Sequence, residues 1–160
     1  TTMAVAKACL STGRHEEAKG ILRKLVQTHH EATDLHQRVS TVLRDHGAAA
    51  IAESLVADSV NEIIQLNNDA VRRARAGELG PAAQMLTEAA QRLPGNTQIV
   101  ANAAAALYFD VLHNGLDAEK VRQAQVFQKA VQAAAPGHPK LAEIATLVAQ
   151  IREKFAASAQ

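Results

Sequence analysis

A pattern of small and apolar residues occurs twice in this chain, and this internal repeat constrains the fold more than any other sequence feature. The two copies, at identical spacing, are Gly13, Ala18, Leu22 and Leu25, and Gly77, Ala82, Leu86 and Ala89. Glycine allows a tight turn between two helices, a small alanine lets their backbones approach, and larger side chains fill the groove between neighbouring helices. The copies lie 77 − 13 = 64 residues apart, which predicts a stack of similar helix pairs.

The composition of the 160 residues indicates an all-α fold. Hydrophobic residues make up 48% and charged residues 21% of the chain, a balance typical of globular domains. Aromatic residues are only 2%, and β-branched residues form no short alternating runs, so helices are favoured over strands. We expect residues 1–160 to form a single helical domain. Because the sequence starts without methionine and within a helical pattern, we expect that domain to be a fragment of a larger protein.

Charge and cysteine content restrict the possible environments and partners. Seventeen basic and sixteen acidic residues give a formal net charge of +1, so the overall field that drives nonspecific binding to nucleic acid or anionic membranes is missing. Cys9 is the only cysteine and cannot close an internal disulfide. No apolar run approaches the roughly 18 residues of a membrane span. These features predict a cytoplasmic protein that does not associate with membranes.

Glycine, proline and capping residues predict where helices begin and end. Neither Gly nor Pro occurs from position 48 to position 76, and apolar residues recur there at helical spacing, which predicts one long central helix. Asn96 and Asp117 are predicted N-caps of the two helices that follow them. The helix after Asn96 carries two apolar rows, so we expect it to be buried on more than one side.

Apolar stripes predict the inward faces of the last two helices. In the helix after Asp117, the expected contacts are Val126, Phe127, Ala130 and Val131. In the last helix, the expected stripe is Leu141, Ile144, Val148, Ile151 and Phe155. The remaining positions of the last helix are largely polar, which is typical of a C-terminal capping helix.

Residues 66–94 resemble a tetratricopeptide repeat (TPR), a helix-pair unit of about 34 residues. The residues that carry this resemblance are Gly77, Ala82, Leu86, Ala89 and Pro94. Residues 14–25 and 96–136 resemble parts of further units, whereas residues 31–62 lack the signature, and the usual aromatic residues of the first helix are absent. The resemblance implies a TPR-like superhelical stack of antiparallel helix pairs, an α-solenoid, with about seven helices.

A narrower resemblance rests on five short runs of sequence. They are Leu66-Asn67-Asn68-Asp69-Ala70-Val71, Gly77-Glu78-Leu79, Leu93-Pro94-Gly95-Asn96, Asn102-Ala103-Ala104 and Asn114-Gly115-Leu116-Asp117. Together they are similar to the TPR-type C-terminal output domain of bacterial response regulators. That resemblance implies a non-catalytic interaction module in two-component signal transduction, preceded by a phosphorylatable receiver domain. Phosphorelay chemistry would then lie outside these 160 residues, because they show neither a strand pattern nor an acidic receiver pocket.

Five polar residues are the candidate contacts for a partner protein or peptide. The resemblance places the first helix of each TPR unit on the concave surface, and these helices carry Asn67, Asn68, Arg72, Arg75 and Asn102. An asparagine side chain offers both donors and an acceptor, which suits the backbone of an extended peptide. The alternative interpretation is that these asparagines bond only to neighbouring helices or to solvent.

Other functions are weaker hypotheses for this sequence. Arg72, Arg73 and Arg75 form a basic face that could contact nucleic acid or phosphate, and the alanine-rich faces could mediate self-association into a homo-oligomer. No activated nucleophile, phosphate loop or metal motif is visible, so we predict neither enzymatic activity nor a cofactor. The closest histidine group, His29, His30 and His36, lacks the i, i+4 spacing of a helical zinc site.

Overall fold

The computed structural model describes the backbone of residues 2–28 and 33–157, and their side chains except at positions 26–28, 33, 34, 36 and 56. The helices are α1 (Thr2–Ser11), α2 (His15–Thr28), α3 (Thr33–Asp45), α4 (Ala49–Arg75), α5 (Leu79–Arg92), α6 (Thr97–Asn114), α7 (Ala118–Ala134) and α8 (Lys140–Ala157). The all-α prediction is therefore confirmed for the described residues. They form eight helices, against about seven expected from the repeat length.

The long central helix is present as predicted. Helix α4 runs without interruption through 27 residues, from Ala49 to Arg75. It ends where Gly77 adopts a φ of +87°, a left-handed backbone conformation that glycine enters without a Cβ clash. Gly13, the equivalent residue of the first repeat copy, has a φ of +73° after α1. Both glycines of the internal repeat thus terminate helices in the same way.

Residues Thr1–Glu62 form the first of two compact units. In this unit α2 packs against α1 and α3. Its buried core includes Ala18 and Leu22 of the repeat pattern together with Cys9, which is only 1% exposed. An ion pair of 2.5 Å between Arg23 Nη2 and Asp58 Oδ2 connects α2 to the first half of α4.

Residues Ile63–Gln160 form the second compact unit, with α6 at its centre. Helix α6 packs against α5, α7 and α8, which explains why both of its apolar rows are needed. Ala101, Ala103 and Ala104 are fully buried along α6. Their small side chains allow the surrounding helices to approach closely. The continuous superhelix of TPR units across residues 1–160 remains a prediction.

The helix caps follow the prediction, whereas the inward face of α7 only partly does. The Asn96 side chain accepts a hydrogen bond from Ile99 N at 3.1 Å, and Asp117 accepts from Glu119 N and Lys120 N. Val126 is 60% exposed and Ala130 is also exposed, so the prediction that these two residues pack inward is wrong. The neighbouring Phe127 lies in the core instead, because α7 meets other helices along a narrower stripe than its apolar residues suggest.

The left-handed conformation of Gly77 makes a testable contribution to stability. We expect Gly77→Ala to lower the free energy of unfolding by about 1 kcal/mol, because alanine adopts positive φ unfavourably. A Cβ at Gly77 would meet nothing within 4 Å, so the expected loss is conformational and not steric. The measurement is urea denaturation followed by circular dichroism.

Gly95→Ala is the matched control for that prediction. A Cβ at Gly95 also meets nothing within 4 Å, and Gly95 does not have a positive φ. We expect no loss of stability there, because alanine fits the existing backbone conformation. Equal losses in the two variants would contradict the proposed origin of the effect at Gly77.

Candidate groove for a peptide

An open groove with a volume of about 1040 Å³ lies on the second unit. It is formed by residues of α4, α5 and α6 and by Lys140 at the start of α8. Its apolar lining residues are Val71, Ala74, Leu79, Leu86, Ala105, Ala106 and Phe109. Its uncharged polar lining residues are Gln65, Asn67, Asn68, Gln98 and Asn102. The groove therefore combines an apolar wall with a set of side-chain amides, a mixture typical of binding sites.

Four of these side-chain amides form a continuous hydrogen-bonded row. Gln98 Nε2 donates to Asn102 Oδ1 at 3.0 Å, and Asn102 Nδ2 donates to Asn67 Oδ1 at 3.0 Å. Asn67 Nδ2 then donates to Asn68 Oδ1 at 3.2 Å. The bond between Asn102 and Asn67 crosses from α6 to α4, so the row connects two helices. Each member holds the next one in place, which orients the row before any ligand arrives.

The two ends of this amide row differ from its middle in exposure and in bonding. Asn67 is 8% exposed and satisfied on both its oxygen and its nitrogen. Asn68 is exposed, and its NH₂ group donates to no acceptor among the described residues. At the other end, the carbonyl oxygen of Gln98 accepts from no described donor. The row thus presents a donor and an acceptor to whatever enters the groove.

The positively charged residues of the groove differ in whether they form ion pairs. Arg72 forms an ion pair with Asp69 on the same helix, and Lys140 Nζ pairs with Glu143 at 2.8 Å. Arg75 also lines the groove, but its guanidinium forms no ion pair or hydrogen bond with any described residue. Three cations and one carboxylate, Asp69, lie among the lining residues. The groove consequently has an excess of positive charge.

All five residues predicted to contact a partner line this groove. Asn67, Asn68, Arg72 and Arg75 reach it from α4, and Asn102 reaches it from α6. Asn102 lies 34 residues after Asn68, which is one TPR repeat length, but its side chain bonds to Asn67. Asn67 and Asn102 therefore also have the structural role that was considered for them, because they bond each other across two helices. Whether the five residues bind a partner stays a prediction.

Sequence reasoning missed several groove residues, and some of them had a usable signal. Gln98 lies one helical turn before Asn102, at the i, i+4 spacing that brings side chains together. Phe109 lies seven residues after Asn102, on the same helical face, and is 39% exposed. Lys140 had no such signal, because it belongs to a helix that only the tertiary fold brings to the groove.

A second polar cluster connects helices of the same unit. The carboxylate of Asp110 is 1% exposed and accepts from Asn114 Nδ2 at 2.5 Å and from Lys120 Nζ at 2.6 Å. The hydrogen bond to Asp110 raises the pKa of Lys120 above its ordinary value, so this amine is charged at pH 7. Because both Asp110 oxygens are occupied and the residue lies outside the groove lining, the cluster serves to hold α7 to α6.

Among the described residues, no group of three or more potential metal ligands occurs. His29, His30 and the side chain of His36 lie outside the described residues, so the interpretation that these histidines form no zinc site stays a prediction. Burial raises the pKa of Tyr108, whose hydroxyl donates to Gln128 Oε1 at 2.9 Å, so the phenol stays neutral at pH 7. Across residues 2–28 and 33–157, no helix has the length and hydropathy needed to cross a membrane.

Comparison with protein-family models, with curated proteins and with solved structures finds no match to this chain.

Proposed function

We propose that this chain is a non-catalytic scaffold of the TPR kind, and that the groove of its second unit binds an extended segment of a partner protein. The observation that carries the proposal is the amide row from Gln98 to Asn68, which ends in bonding groups that no described residue satisfies. An extended backbone presents its own N–H and C=O groups outward, so it can complete both ends of such a row.

The internal bonds of the row favour binding because they reduce its entropic cost. Asn67 and Asn102 are already fixed by hydrogen bonds between α4 and α6, so few of their rotamers are lost when a ligand binds. The apolar wall beside the row, including Leu79 and Phe109, supplies surface that a bound side chain can cover. A peptide would thus gain directional contacts and apolar burial in the same groove.

The charge pairing argues against nucleic acid as the main partner. Of the three arginines in the predicted basic face, Arg72 is paired with Asp69 and Arg73 with Glu78 at 2.9 Å. These carboxylates would be brought close to phosphate groups if a nucleic acid occupied this face, and that repulsion is unfavourable. Phe109 is the only exposed aromatic residue described, which is little surface for base stacking.

Selection from a phage-displayed library of random peptides tests the proposed function. We expect individual peptides to be enriched on the parent chain, and Asn68→Ala to weaken their binding about two- to tenfold, because a hydrogen bond between uncharged groups contributes about 0.5 to 1.5 kcal/mol. Asn68 is an exposed end of the row, so its loss leaves the buried bond between Asn67 and Asn102 intact. Fluorescence polarisation with the enriched peptides gives the affinities.

Gln125→Ala, on the exposed face of α7 and outside the groove lining, is the control variant for this selection. It should bind the enriched peptides like the parent. The proposal fails if no peptide is enriched, or if the peptides bind Asn68→Ala as tightly as the parent. Binding of single-stranded DNA that weakens steeply with salt, without peptide binding, would favour the nucleic-acid hypothesis instead.

The finer part of the proposal concerns signalling. We infer from the five runs resembling response-regulator output domains that an attached receiver domain controls access to the groove, and that the protein acts in a cytoplasmic phosphorelay. This requires a phosphorylation-dependent difference in affinity. The complete protein that contains this chain should bind an enriched peptide with a different affinity after treatment with acetyl phosphate. An unchanged affinity in a phosphorylated protein would contradict this inference.

A further inference from the structure

The cations of the groove differ in how much charge they can offer to a ligand. Arg72 is neutralised by Asp69, and Lys140 by Glu143, so each would have to exchange an existing ion pair to bind an anion. Arg75 also lines the groove but has no partner among the described residues, so its charge is the one left unbalanced among the three lining cations. An anionic group beside Arg75 therefore gains an ion pair without displacing another.

An exposed apolar surface occurs in the same groove. The Phe109 side chain is 39% exposed, and its ring is stacked on His113 at a centroid distance of 4.3 Å, which holds the ring in one orientation. Leu79 and Ala106 contribute further apolar lining. Water next to this surface is released when an aliphatic side chain covers it. The groove can therefore bind a ligand that carries both an apolar group, beside Phe109, and an anionic group, beside Arg75.

We propose that the groove selects a peptide segment carrying an acidic side chain, with an aliphatic side chain nearby, and that Arg75 binds the acidic one. This rests on the proposed function and adds the chemistry of the partner. The net positive charge of the groove favours an anionic ligand. The amide row binds the backbone of the peptide, and these contacts do not depend on the peptide's sequence. The acidic residue therefore determines selectivity, and the amide row contributes general affinity.

The spacing of the groove residues predicts where the acidic side chain lies along the peptide. Arg75 follows Asn68 by seven residues on α4, which is about 10 Å along a helix axis at 1.5 Å per residue. An extended peptide covers about 3.3 Å per residue, so that distance corresponds to about three peptide residues. The acidic residue is expected about three positions from the one whose backbone meets Asn68.

Three pools of fluorescein-labelled peptides with amidated C-termini test the inference. All pools contain Leu and Ala at random, with one further residue type, Glu, Gln or Lys, placed at varied positions. We expect the Glu pool to bind the parent chain about two- to fivefold more tightly than the Gln pool, because an ion pair with the exposed Arg75 contributes about 0.5 to 1 kcal/mol. The Lys pool should bind most weakly, because its amine is repelled by the Arg75 guanidinium. In Arg75→Gln the difference between the Glu and Gln pools should disappear.

Arg73→Gln is the matched control, because Arg73 is also an exposed arginine on the last turn of α4 but is paired with Glu78 and does not line the groove. It should keep the full preference for the Glu pool. Circular dichroism and the thermal midpoint establish that each variant is folded. A loss of preference in Arg73→Gln equal to that in Arg75→Gln would show a nonspecific charge effect and overturn the inference.

The remaining outcomes separate this inference from the proposed function. Equal binding of the Glu and Gln pools would overturn the selectivity and leave peptide binding standing, whereas failure of all pools to bind would contradict both. A Gln pool with free C-terminal carboxylates serves as an additional arm. If it binds as tightly as the amidated Glu pool, the anion bound is the chain terminus and the assignment to an acidic side chain is wrong. Tighter binding of an oligothymidylate than of any peptide pool would also overturn the inference.

Discussion

Ile144→Ala is expected to lower the free energy of unfolding of the second unit by about 3 kcal/mol, because the substitution removes buried methyl groups and leaves a cavity. Ile144 is fully buried in α8 and belongs to the same core cluster as Val111 and Phe127. The smaller change Ile144→Val should cost about 1 kcal/mol. Urea denaturation measures this difference. The slope of the unfolding free energy against urea concentration should stay unchanged, since that slope reports the surface exposed on unfolding.

Val126→Ala is the control for Ile144→Ala, because it truncates an apolar side chain that is exposed and not buried. The sequence predicted both side chains to face inward, but Val126 is 60% exposed on α7. Its truncation should therefore change the unfolding free energy by less than about 0.5 kcal/mol. A loss at Val126 comparable to the loss at Ile144 would contradict the helix orientation described for α7.

Lys120→Met is expected to destabilise the second unit by about 2 to 3 kcal/mol. The substitution keeps the apolar stem but leaves the buried carboxylate of Asp110 with only its bond from Asn114. Breaking a fully buried pair costs about 3 to 5 kcal/mol, and the value is lower here because the Lys120 side chain is 41% exposed and water screens part of the interaction. Chemical denaturation of the parent and the variant measures the difference.

Two further measurements distinguish a lost ion pair from lost packing in Lys120→Met. Adding Asp110→Asn should recover part of the stability, because the double variant no longer buries an unpaired charge. The pKa of Lys120 is raised in the folded chain, so its contribution is complete below about pH 10 and declines as pH rises through the folded pKa. The parent and Lys120→Met should thus differ equally at pH 6 and at pH 9. A double variant less stable than Lys120→Met would contradict this account.

The local features of the fold were predictable because each depends on neighbouring residues. The absence of Gly and Pro from position 48 to position 76 was sufficient to predict α4, and the side chains of Asn96 and Asp117 bond within their own first turns. The central position of α6 followed from apolar residues on more than one of its faces. Val126 was misassigned because an apolar residue beside a buried stripe has the same local sequence signal as one within it.

The candidate groove was predictable only where its residues share a helix or a repeat position. Asn67, Asn68, Arg72 and Arg75 lie on α4, and Asn102 occupies a similar place in a later helix. They were selected through the resemblance to TPR units, whose first helices line the concave surface. The sequence did not predict which of the arginines would form ion pairs. Arg75 is distinguished from Arg72 and Arg73 by the absence of a described carboxylate partner, which depends on side-chain placement.

The sequence by itself determined the helical class, the long α4 and the capping residues, because these depend on periodicity and on contacts within a few residues. Through the resemblance to TPR units it also selected five of the polar residues that line the groove. Only the tertiary structure decided that Asn102 bonds to Asn67, that Lys140 reaches the same groove, and that Lys120 neutralises Asp110. These contacts join different helices, and their geometry depends on how the helices pack. Sequence spacing specifies the face on which a side chain lies, whereas packing specifies what that face meets.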